Sequence, residues 1–314
     1  MSEKPIRFEG QVALVTGAGK GIGRAHAERL AERGAAVLVN NRRHAEDPGP
    51  GSAEEVASAI RAAGGQAEAD GEHVEQPGAG QRMVEHAVDR FGGLDILICN
   101  AGASHLKIFH RMSMAEIREL IEINLMGTLD VIRAALDVMR PARRGTILVT
   151  NSASALYGDV GFVAYAAAKA ALLGLVPSLA AESTRAGIRI NAIAPFVHTQ
   201  MTEWIFEGGH YPREVAEQLR PDLTANLALW LVSRDCPLSG ETLVVGGRVI
   251  ARTQMFTSPG IELEAGEMSP EAVALRYAEL ADMSKAKSYS QGGELHRAIV
   301  ERTTGVSITT DSDG

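Results

Sequence analysis

Short apolar runs alternate with amphipathic segments along the first 250 residues of this chain. Most of these runs are continuous, as expected of strands buried on both faces, and the segments that follow have apolar positions at helical spacing. The runs are Val12–Val15, Ala36–Val39, Gln66–Asp70, Leu94–Cys99, Thr146–Thr150, Ile188–Ile193 and Thr242–Val245. This alternation is typical of a parallel sheet covered by helices. It predicts an α/β fold with a doubly wound, seven-stranded parallel sheet of the Rossmann type.

The pattern changes near residue 250. Residues 1–250 hold all the predicted strands and are expected to form one domain. Residues 251–314 have no strand pattern, but Pro270–Met283 has helical spacing and follows a serine suited to an N-cap. We therefore expect a helical C-terminal extension over residues 251–314.

Charge and composition argue against several classes of function. The chain has 31 basic and 39 acidic residues and a formal net charge of −8, which argues against a nucleic-acid partner. No apolar run approaches the roughly 18 residues that span a bilayer, and Met1–Gly10 is too polar for a signal peptide. Cys99 and Cys236 are expected to be small buried side chains in a reducing compartment. We therefore expect a cytoplasmic protein with no membrane partner.

A glycine-rich loop follows the first predicted strand and precedes a helical pattern. Its glycines fit the spacing G-x-x-x-G-x-G, whereas Ile22 stands where G-x-G-x-x-G would need its third glycine. Such glycines let the backbone approach a pyrophosphate, and the helix N-terminus supplies N–H groups and positive potential. The loop therefore predicts a dinucleotide site in residues 1–250. Its candidate contacts are Gly17, Lys20, Gly21, Ile22 and Gly23.

The end of the second strand bears on the choice of cofactor. In this architecture an acidic residue about 20 positions after the loop binds a free ribose 2′-hydroxyl. Here neutral Asn41 is followed by Arg42 and Arg43, whose guanidinium groups suit a 2′-phosphate. We therefore expect NADP(H) ahead of NAD(H), with a merely solvated arginine edge as the alternative. A long polar loop over His44–Ser52 comes next.

Further cofactor contacts are predicted where the third and fourth strands end. Glu72 and His73 follow the third strand, near the expected position of an adenine ring. Asn100, Ala101 and Gly102 follow the fourth strand, and their small size lets backbone lie against a cofactor.

The main catalytic candidates are Tyr165, Lys169 and Ser152. Tyr165 and Lys169 are four positions apart, so on a helix both lie on one face. A nearby ammonium favours the phenolate and is expected to lower the tyrosine pKa toward the working range of a proton-transfer group. Ser152 follows the fifth strand, at the sheet edge where open α/β sheets bind ligands. Asn124 interrupts a helical pattern over Met114–Met139, which indicates a local irregularity.

Together these motifs resemble the short-chain dehydrogenase/reductase family over about residues 8–250. The resemblance implies that Tyr165 is the general acid/base and that Lys169 binds the nicotinamide ribose while lowering the tyrosine's pKa. It implies that Ser152 hydrogen-bonds the reacting oxygen and that Asn124 holds a water in a proton relay. The residues it implies beside the nicotinamide are Tyr165, Lys169, Pro195, Val197 and Thr199. Two departures are visible: Cys99 replaces a frequent Asn, and Phe196 replaces a frequent Gly and is expected to reshape the pocket roof.

A closer resemblance is to the hydroxyacyl-CoA dehydrogenase part of peroxisomal multifunctional enzymes and their bacterial relatives. It rests on Gly23–Ala27, the loop after Asn41, Ile193–Pro195 with Met201–Thr202, and the tail. In those relatives such a tail packs across a dimer contact, so residues 251–314 are expected to pack on the same domain or a neighbouring subunit. No hydratase or sterol-carrier pattern follows, and Asp311–Gly314 does not resemble a peroxisomal targeting signal.

The resemblance implies an oxidoreductase that moves a hydride between a nicotinamide cofactor and a small-molecule secondary alcohol or ketone. Its substrate could be a 3-hydroxyacyl thioester or a steroid, terpenoid or polyketide alcohol. A non-catalytic redox sensor or scaffold is the alternative. A reductase acting on an acyl carrier protein would need a basic docking patch, for which Arg140, Arg143 and Arg144 form the only tight cluster.

Two further expectations concern metals and assembly. His105 and His110 have no Cys or carboxylate partners at metal-ligand spacing, so no metal site is expected. The helix after Tyr165 is apolar on most faces through Ala170–Leu175 and needs cover on more than one side. We therefore expect a homodimer or homotetramer in which this helix is buried between subunits.

Overall fold

The computed structural model describes residues 5–43, 51–207, 212–264 and 266–307. Within these ranges lie the strands β1 (Val12–Val15), β2 (Ala36–Asn40), β3 (Gln66–Asp70), β4 (Ile96–Cys99), β5 (Gly145–Thr150), β6 (Ile188–Phe196), β7 (Thr242–Gly246) and β8 (Val249–Thr253). They form one sheet in the order β3-β2-β1-β4-β5-β6-β7-β8. Because β1 to β7 are parallel, the predicted α/β sheet is confirmed.

The predicted strand count was one too low. Only Gly247 and Arg248 separate β7 from β8, and a connection this short joins antiparallel strands. Gly247 has φ +55°, in the left-handed region that tight hairpin turns use. The side chains of β8 are largely exposed, with Val249 at 71%, so the pattern of a buried strand does not mark it.

Helices cover both faces of the sheet. The α-helices are α1 (Gly21–Glu32), α2 (Ser52–Ala62), α3 (Ala79–Phe91), α4 (Met114–Ile121), α5 (Gly127–Ala142), α6 (Ala153–Tyr157), α7 (Val163–Ser183), α8 (Glu203–Glu207), α9 (Arg213–Gln218), α10 (Pro221–Val232), α11 (Pro270–Leu275), α12 (Tyr277–Leu280) and α13 (Gly292–Thr304). One core lies under α1, α2 and α10, and the other lies under α3, α5 and α7. Two cores on opposite faces are what a doubly wound sheet requires.

The long helix α7 corrects the expectation about membrane-spanning length. With the turn after it, Val163–Ala186 is the one helix of the described residues that is long and apolar enough to cross a membrane, judged by length and composition alone. Core helices pass the same criterion. One side of α7 packs into the protein core through Leu172, Val176 and Ala180, while only 33% of its most apolar window is buried.

The chain divides into two compact units, Met1–Arg252 and Thr253–Gly314. In the second unit, the single helix expected over Pro270–Met283 is interrupted at Arg276, which has φ −104°. α13 was not expected. The described parts of α11, α12 and α13 contain no buried side chain. Residues 44–50 of the predicted polar loop lie outside the described part of the chain.

Candidate active site

The carboxyl ends of β1 and β4 are bonded together at the glycine-rich loop. The hydroxyl of Thr16 accepts hydrogen bonds from the backbone N–H groups of Asn100 (3.0 Å) and Ala101 (3.1 Å). The side-chain amide of Asn100 donates to the carbonyls of Thr16 (3.2 Å) and Gly17 (3.1 Å). The predicted residues after β4 therefore brace the loop, and Thr16 is a supporting residue that the sequence motifs did not single out as a contact.

The loop has no room for side chains at its glycines. Gly17 and Gly21 have φ of +64° and +58°, in the left-handed region that favours glycine. A Cβ at Gly17 would lie 2.7 Å from the Cα of Ala101, and one at Gly23 would lie 2.3 Å from the Gly17 carbonyl oxygen. The N-cap residue Lys20 makes no side-chain hydrogen bond to the start of α1, whose first N–H groups suit an anion. This cradle fits the pyrophosphate of a nicotinamide dinucleotide.

The end of β2 arranges the predicted ribose-phosphate contacts. The amide of Asn41 donates to the Ser52 hydroxyl (2.8 Å) at the start of α2. A Cβ at Gly19 would lie 2.3 Å from that hydroxyl oxygen, so Gly19 permits the close approach of α2. Arg42 and Lys20 are exposed beside this turn. The sequence pattern does not predict the roles of Gly19 and Ser52, because these roles follow from packing between two loops.

Glu72 and His73 lie next to the end of β2 but have partners of their own. The Glu72 carboxylate pairs with Arg82 (2.7 Å), and the His73 ring bonds the Arg43 carbonyl oxygen (3.0 Å). Behind them, the buried Asn40 donates to the carbonyl oxygen of Glu72 (2.9 Å). In this structure the side chains of Glu72 and His73 are therefore engaged in contacts within the protein that hold the local backbone.

Ser152, Tyr165 and Lys169 meet above the end of β5. The Ser152 hydroxyl lies near that of the half-buried Tyr165 and lowers the pKa of the phenol. It also accepts from the backbone N–H of Ser154 (3.2 Å) at the start of α6. Lys169 is 3% exposed, and its Nζ donates to the carbonyl oxygen of Thr150 (2.8 Å). The structure thus brings the three predicted side chains to one sheet edge.

The expected lowering of the tyrosine pKa is wrong for this structure. Burial raises the pKa of Tyr165, because it disfavours the phenolate, and the hydrogen bond from Ser152 offsets this only in part. Burial also lowers the pKa of Lys169 from 10.5 to about 8. The sequence argument placed an ammonium near the phenol but left out the cost of enclosing both groups.

Asn124 lies in the irregularity that the sequence predicted. The turn Glu122–Met126 between α4 and α5 is π-helical, a form found often at functional sites. The Asn124 amide donates to the carbonyls of Leu120 and Ala103, both at 2.8 Å, and its Oδ1 accepts from the Ala103 N–H (3.2 Å). A Cβ at Gly102 would lie 2.8 Å from this Oδ1 and 3.6 Å from Lys169 Nζ. Gly102 therefore lets Asn124 and Lys169 approach each other.

Pro195, Val197 and Thr199 lie at and beyond the end of β6. Pro195 is paired with Val245 of β7 inside the sheet, and Val197 is buried. The Thr202 hydroxyl donates to the Val197 carbonyl (2.7 Å) and accepts from the Thr199 N–H (2.8 Å). A Cβ at Gly21 would lie 3.4 Å from Thr199 Cγ2. This turn therefore lies against the glycine-rich loop.

Aromatic rings form the other side of the site. The ring of Phe162 meets Tyr165 edge-on, with centroids 6.1 Å apart, and stacks on Trp204 at the same distance. Phe196 stacks on the buried Phe206 of α8 (6.4 Å) and so supports that helix. The sequence pattern does not predict the pairing of Phe162 with Trp204, because no spacing rule links two aromatic residues so far apart in the chain.

Metal ligands are not grouped in this structure. Among the described residues, no set of three or more His, Cys, Asp or Glu side chains is arranged to hold a metal ion. His105 approaches Glu119 at 3.8 Å, and within the same ranges Cys99 and Cys236 are buried free thiols.

Comparison with known proteins identifies the family. A protein-family model described as short chain dehydrogenase matches residues 11–208 of this chain. The chain belongs to the short-chain dehydrogenase family. The predicted resemblance is thereby confirmed, and the protein is a nicotinamide-dependent oxidoreductase that acts on CH–OH groups and the corresponding ketones. A non-catalytic redox sensor or scaffold is set aside.

Individual relatives refine this comparison. Peroxisomal multifunctional enzyme type 2 of Mus musculus is 37% identical over 315 residues, which cover 99% of this chain but only 41% of that protein. The 3-oxoacyl-[acyl-carrier-protein] reductase of Escherichia coli is 36% identical over 77% of this chain and 98% of its own. The solved multifunctional enzyme type 2 of Drosophila melanogaster superposes with a TM-score of 0.81 at 28% identity, covering 96% of this chain and 51% of that one. The chain thus spans about half or less of these two multifunctional relatives.

The expected cytoplasmic location is wrong by this comparison. The mouse relative is peroxisomal by name, and so are relatives from Dictyostelium discoideum, Neurospora crassa and Saccharomyces cerevisiae. The argument from Asp311–Gly314 concerned residues outside the described part of the chain. Relationship to this group outweighs the composition argument, because net charge and a polar stretch over Met1–Gly10 do not distinguish a peroxisomal protein from a cytoplasmic one.

Proposed function

We propose that this enzyme interconverts 3-hydroxyacyl and 3-oxoacyl thioesters, with NADP(H) preferred over NAD(H). The observation that carries the chemistry is the meeting of Ser152, Tyr165 and Lys169 at one sheet edge beside the glycine cradle. The thioester class is supported by the E. coli relative, whose name gives a 3-oxoacyl substrate, and by similarity to multifunctional peroxisomal enzymes.

In this proposal Tyr165 is the general acid/base. It takes the proton from the substrate hydroxyl during oxidation and returns it during reduction. The Ser152 hydroxyl, which lies near Tyr165, holds the reacting oxygen within reach of the phenol. The bound nicotinamide supplies or accepts the hydride. One hydride and one proton therefore leave the alcohol together, which balances its conversion to the ketone.

Lys169 and Asn124 support this proton transfer. The ammonium of Lys169 lies beside Gly102 and is proposed to hold the nicotinamide ribose and to stabilise negative charge on the phenol. The Oδ1 of Asn124 accepts one bond from Ala103 and keeps a second lone pair, which suits a relay water. Pro195, Val197 and Thr199 are proposed to border the nicotinamide.

The preference for NADP(H) follows from charge at the end of β2. Asn41 puts no carboxylate beside the ribose 2′ position, and the exposed Arg42 and Lys20 can pair with a 2′-phosphate. Loss of one charge-assisted hydrogen bond would weaken NADP(H) binding roughly ten- to hundredfold. Asn41→Asp would favour NAD(H), because its carboxylate accepts from a free 2′-hydroxyl and repels a phosphate.

We also propose that the subunits assemble as a homodimer or homotetramer through α7. Its exposed residues include Val163, and most of its apolar window is not covered within one chain. The second unit has no buried side chain in its described helices and exposes Leu275 at 87%, so it also needs cover. We propose that residues 251–314 pack on the same domain or on a neighbouring subunit.

The test is a panel of substrates whose turnover is measured by the absorbance of the reduced cofactor. Saturated 3-hydroxyacyl-CoA thioesters, a steroid alcohol, a terpenoid alcohol and simple secondary alcohols are each assayed with NAD⁺ and NADP⁺, in the parent and in Asn41→Asp. We expect thioesters to have the highest kcat/KM, with NADP⁺ preferred by the parent and less so by the variant. A higher kcat/KM for a non-thioester alcohol would contradict the substrate proposal. Equal use of both cofactors by both proteins would contradict the cofactor proposal.

A further inference from the structure

We propose that Trp204, stacked on Phe162, is a specificity-determining side chain that contacts the apolar chain of the substrate and selects long chains over short ones. This inference rests on the proposed function for its thioester substrates, but it concerns the chain beyond the reacting carbon. Nothing in the glycine cradle or the proton-transfer groups requires an aromatic ring at position 204.

The ring contacts extend outward from the reacting group. Phe162 meets Tyr165 edge-on at an interplanar angle of 65°, and Trp204 stacks on the same Phe162 ring at 28°. Phe162 is half-buried, whereas Trp204 is 39% exposed. The three rings therefore form a continuous apolar wall from the phenol toward solvent. A substrate held at Tyr165 would have its alkyl chain beside this wall.

The wall is held by the opposite side of α8. Trp204 and Phe206 are two residues apart on this helix, so they point in different directions. Phe206 is 6% exposed and contacts the rings of Phe196 and His198, with centroids 6.4 Å and 4.7 Å away. This buried side fixes the short helix on the turn after β6. On the other side of the helix, Trp204 stacks on Phe162 and keeps 39% of its surface exposed, where a ligand can reach it.

The position of the wall also depends on Thr202. Its hydroxyl bonds the Val197 carbonyl (2.7 Å) and the Thr199 N–H (2.8 Å), two residues before Trp204. The turn proposed to border the nicotinamide is thus the turn from which α8 starts. Thr202 is a positioning residue in this account, because it acts on the wall through the backbone.

Apolar side chains also lie on the loop that carries Phe162 and on the segment that packs against this loop. The Lys107 N–H donates to the Gly161 carbonyl (3.0 Å), and a Cβ at Gly161 would lie 2.6 Å from Leu106 Cδ1. Leu106 is 57% exposed and Val160 is 84% exposed. The exposed apolar side chains Val160 on this loop and Leu106 against it, together with Trp204, favour a ligand that carries a chain of several methylenes.

The experiment measures chain-length selectivity in Trp204→Ala. The probes are 3-hydroxybutyryl-CoA and 3-hydroxydecanoyl-CoA, and in parallel 2-butanol and 2-decanol. We expect kcat/KM for the ten-carbon probes to fall about ten- to hundredfold through a higher KM, because contact with the chain is made equally before and during reaction. The four-carbon probes should change less than about threefold. Met201→Ala, which removes a 47% exposed side chain from the same segment, is the matched control and should keep the parent selectivity.

Thr202→Val tests the same idea without changing the ring. It should lower the ten-carbon to four-carbon ratio of kcat/KM in the same direction as Trp204→Ala, because α8 loses its anchor. The proposal would be overturned if kcat/KM fell equally for the ten-carbon and four-carbon probes. It would also be overturned if kcat/KM for the ten-carbon probes fell in neither Trp204→Ala nor Thr202→Val. If only the alcohols are turned over, the thioester proposal fails while the selectivity of the alcohol pair still tests the wall.

A binding signal gives a readout that is independent of turnover. The chain has two tryptophans, so Trp230→Phe leaves Trp204 as the single indole fluorophore. Decanoyl-CoA, which lacks the reacting hydroxyl, should change this fluorescence at concentrations where butyryl-CoA does not. No response to decanoyl-CoA in this variant, at concentrations that inhibit turnover, would show that the chain does not meet Trp204.

Discussion

Two sides of this site differ in construction: the proposed cofactor side is enclosed by backbone at its glycine-rich loop, and the proposed substrate side is lined by side chains. On the cofactor side, Gly17 and Gly23 are enclosed so closely that a Cβ would meet main-chain atoms at 2.7 Å and 2.3 Å. On the substrate side, Phe162 and Trp204 meet at an ordinary ring-stacking distance of 6.1 Å. Backbone recognition admits one residue type at fixed positions, whereas an apolar wall can be made by many residues. The first side is therefore expected to tolerate substitution far less than the second.

The largest effect is expected for Gly23→Ala. The added methyl would lie 2.3 Å from the Gly17 carbonyl oxygen and 2.4 Å from the Asn100 amide, so the cradle must open. We expect cofactor affinity to fall about a hundredfold or more, which corresponds to at least about 2.7 kcal/mol. Calorimetric titration with NADPH and NADH measures it, and circular dichroism checks that the chain still folds.

Gly93→Ala is the matched control for that change. Gly93 has no positive φ, and a Cβ there would meet nothing within 4 Å. Its cofactor affinity should equal that of the parent. Unchanged affinity in Gly23→Ala as well would contradict the claim that this side of the site depends on backbone packing.

A smaller effect, on stability, is expected for Lys169→Met. Burial lowers the pKa of Lys169 to about 8, below its ordinary 10.5, so between these values the unfolded chain holds a proton that the folded chain releases. The parent therefore gains stability as pH rises through this window, and below pH 8 it bears the full cost of the buried ammonium. At pH 7 the variant should be more stable by about 1–3 kcal/mol, after the lost bond to Thr150 is subtracted.

Urea unfolding between pH 7 and 10 measures this difference, which should shrink as pH rises. Lys107→Met is the control: that lysine is 38% exposed and pairs with Glu116, so removing it should change stability by less than about 1 kcal/mol. A Lys169→Met variant that is less stable than the parent at pH 7 would mean that the ammonium makes a net stabilising contact. Turnover should be lost in Lys169→Met, whatever its stability.

The same contrast explains what the sequence could predict. The parallel strands and the glycine-rich loop were predictable, because buried strands need continuous apolar runs and left-handed φ angles favour glycine. Tyr165 and Lys169 were predictable from their four-residue spacing on a helix. Asn124 was predictable from the local irregularity of its helical pattern. β8 was missed because its side chains are exposed, and Trp204 because its partner Phe162 is distant in the chain.

The pKa of Tyr165 shows a different limit of sequence reasoning. The spacing of Tyr165 and Lys169 predicts proximity, but the sign of a pKa shift depends on how much water each group loses. Burial is a property of the whole fold, and here it is the larger cause for both groups. Location was misjudged for a similar reason, since composition does not record which compartment a protein works in.

The central claim is that the Tyr165 hydroxyl transfers the proton, while other groups of the protein hold the cofactor. Tyr165→Phe removes only the hydroxyl and keeps the ring that packs on Phe162. NADPH affinity and turnover of the best thioester are measured on the same preparation of this variant. We predict that turnover falls about 10²–10⁴-fold while NADPH affinity stays within a few-fold. Turnover within tenfold of the parent would contradict the account.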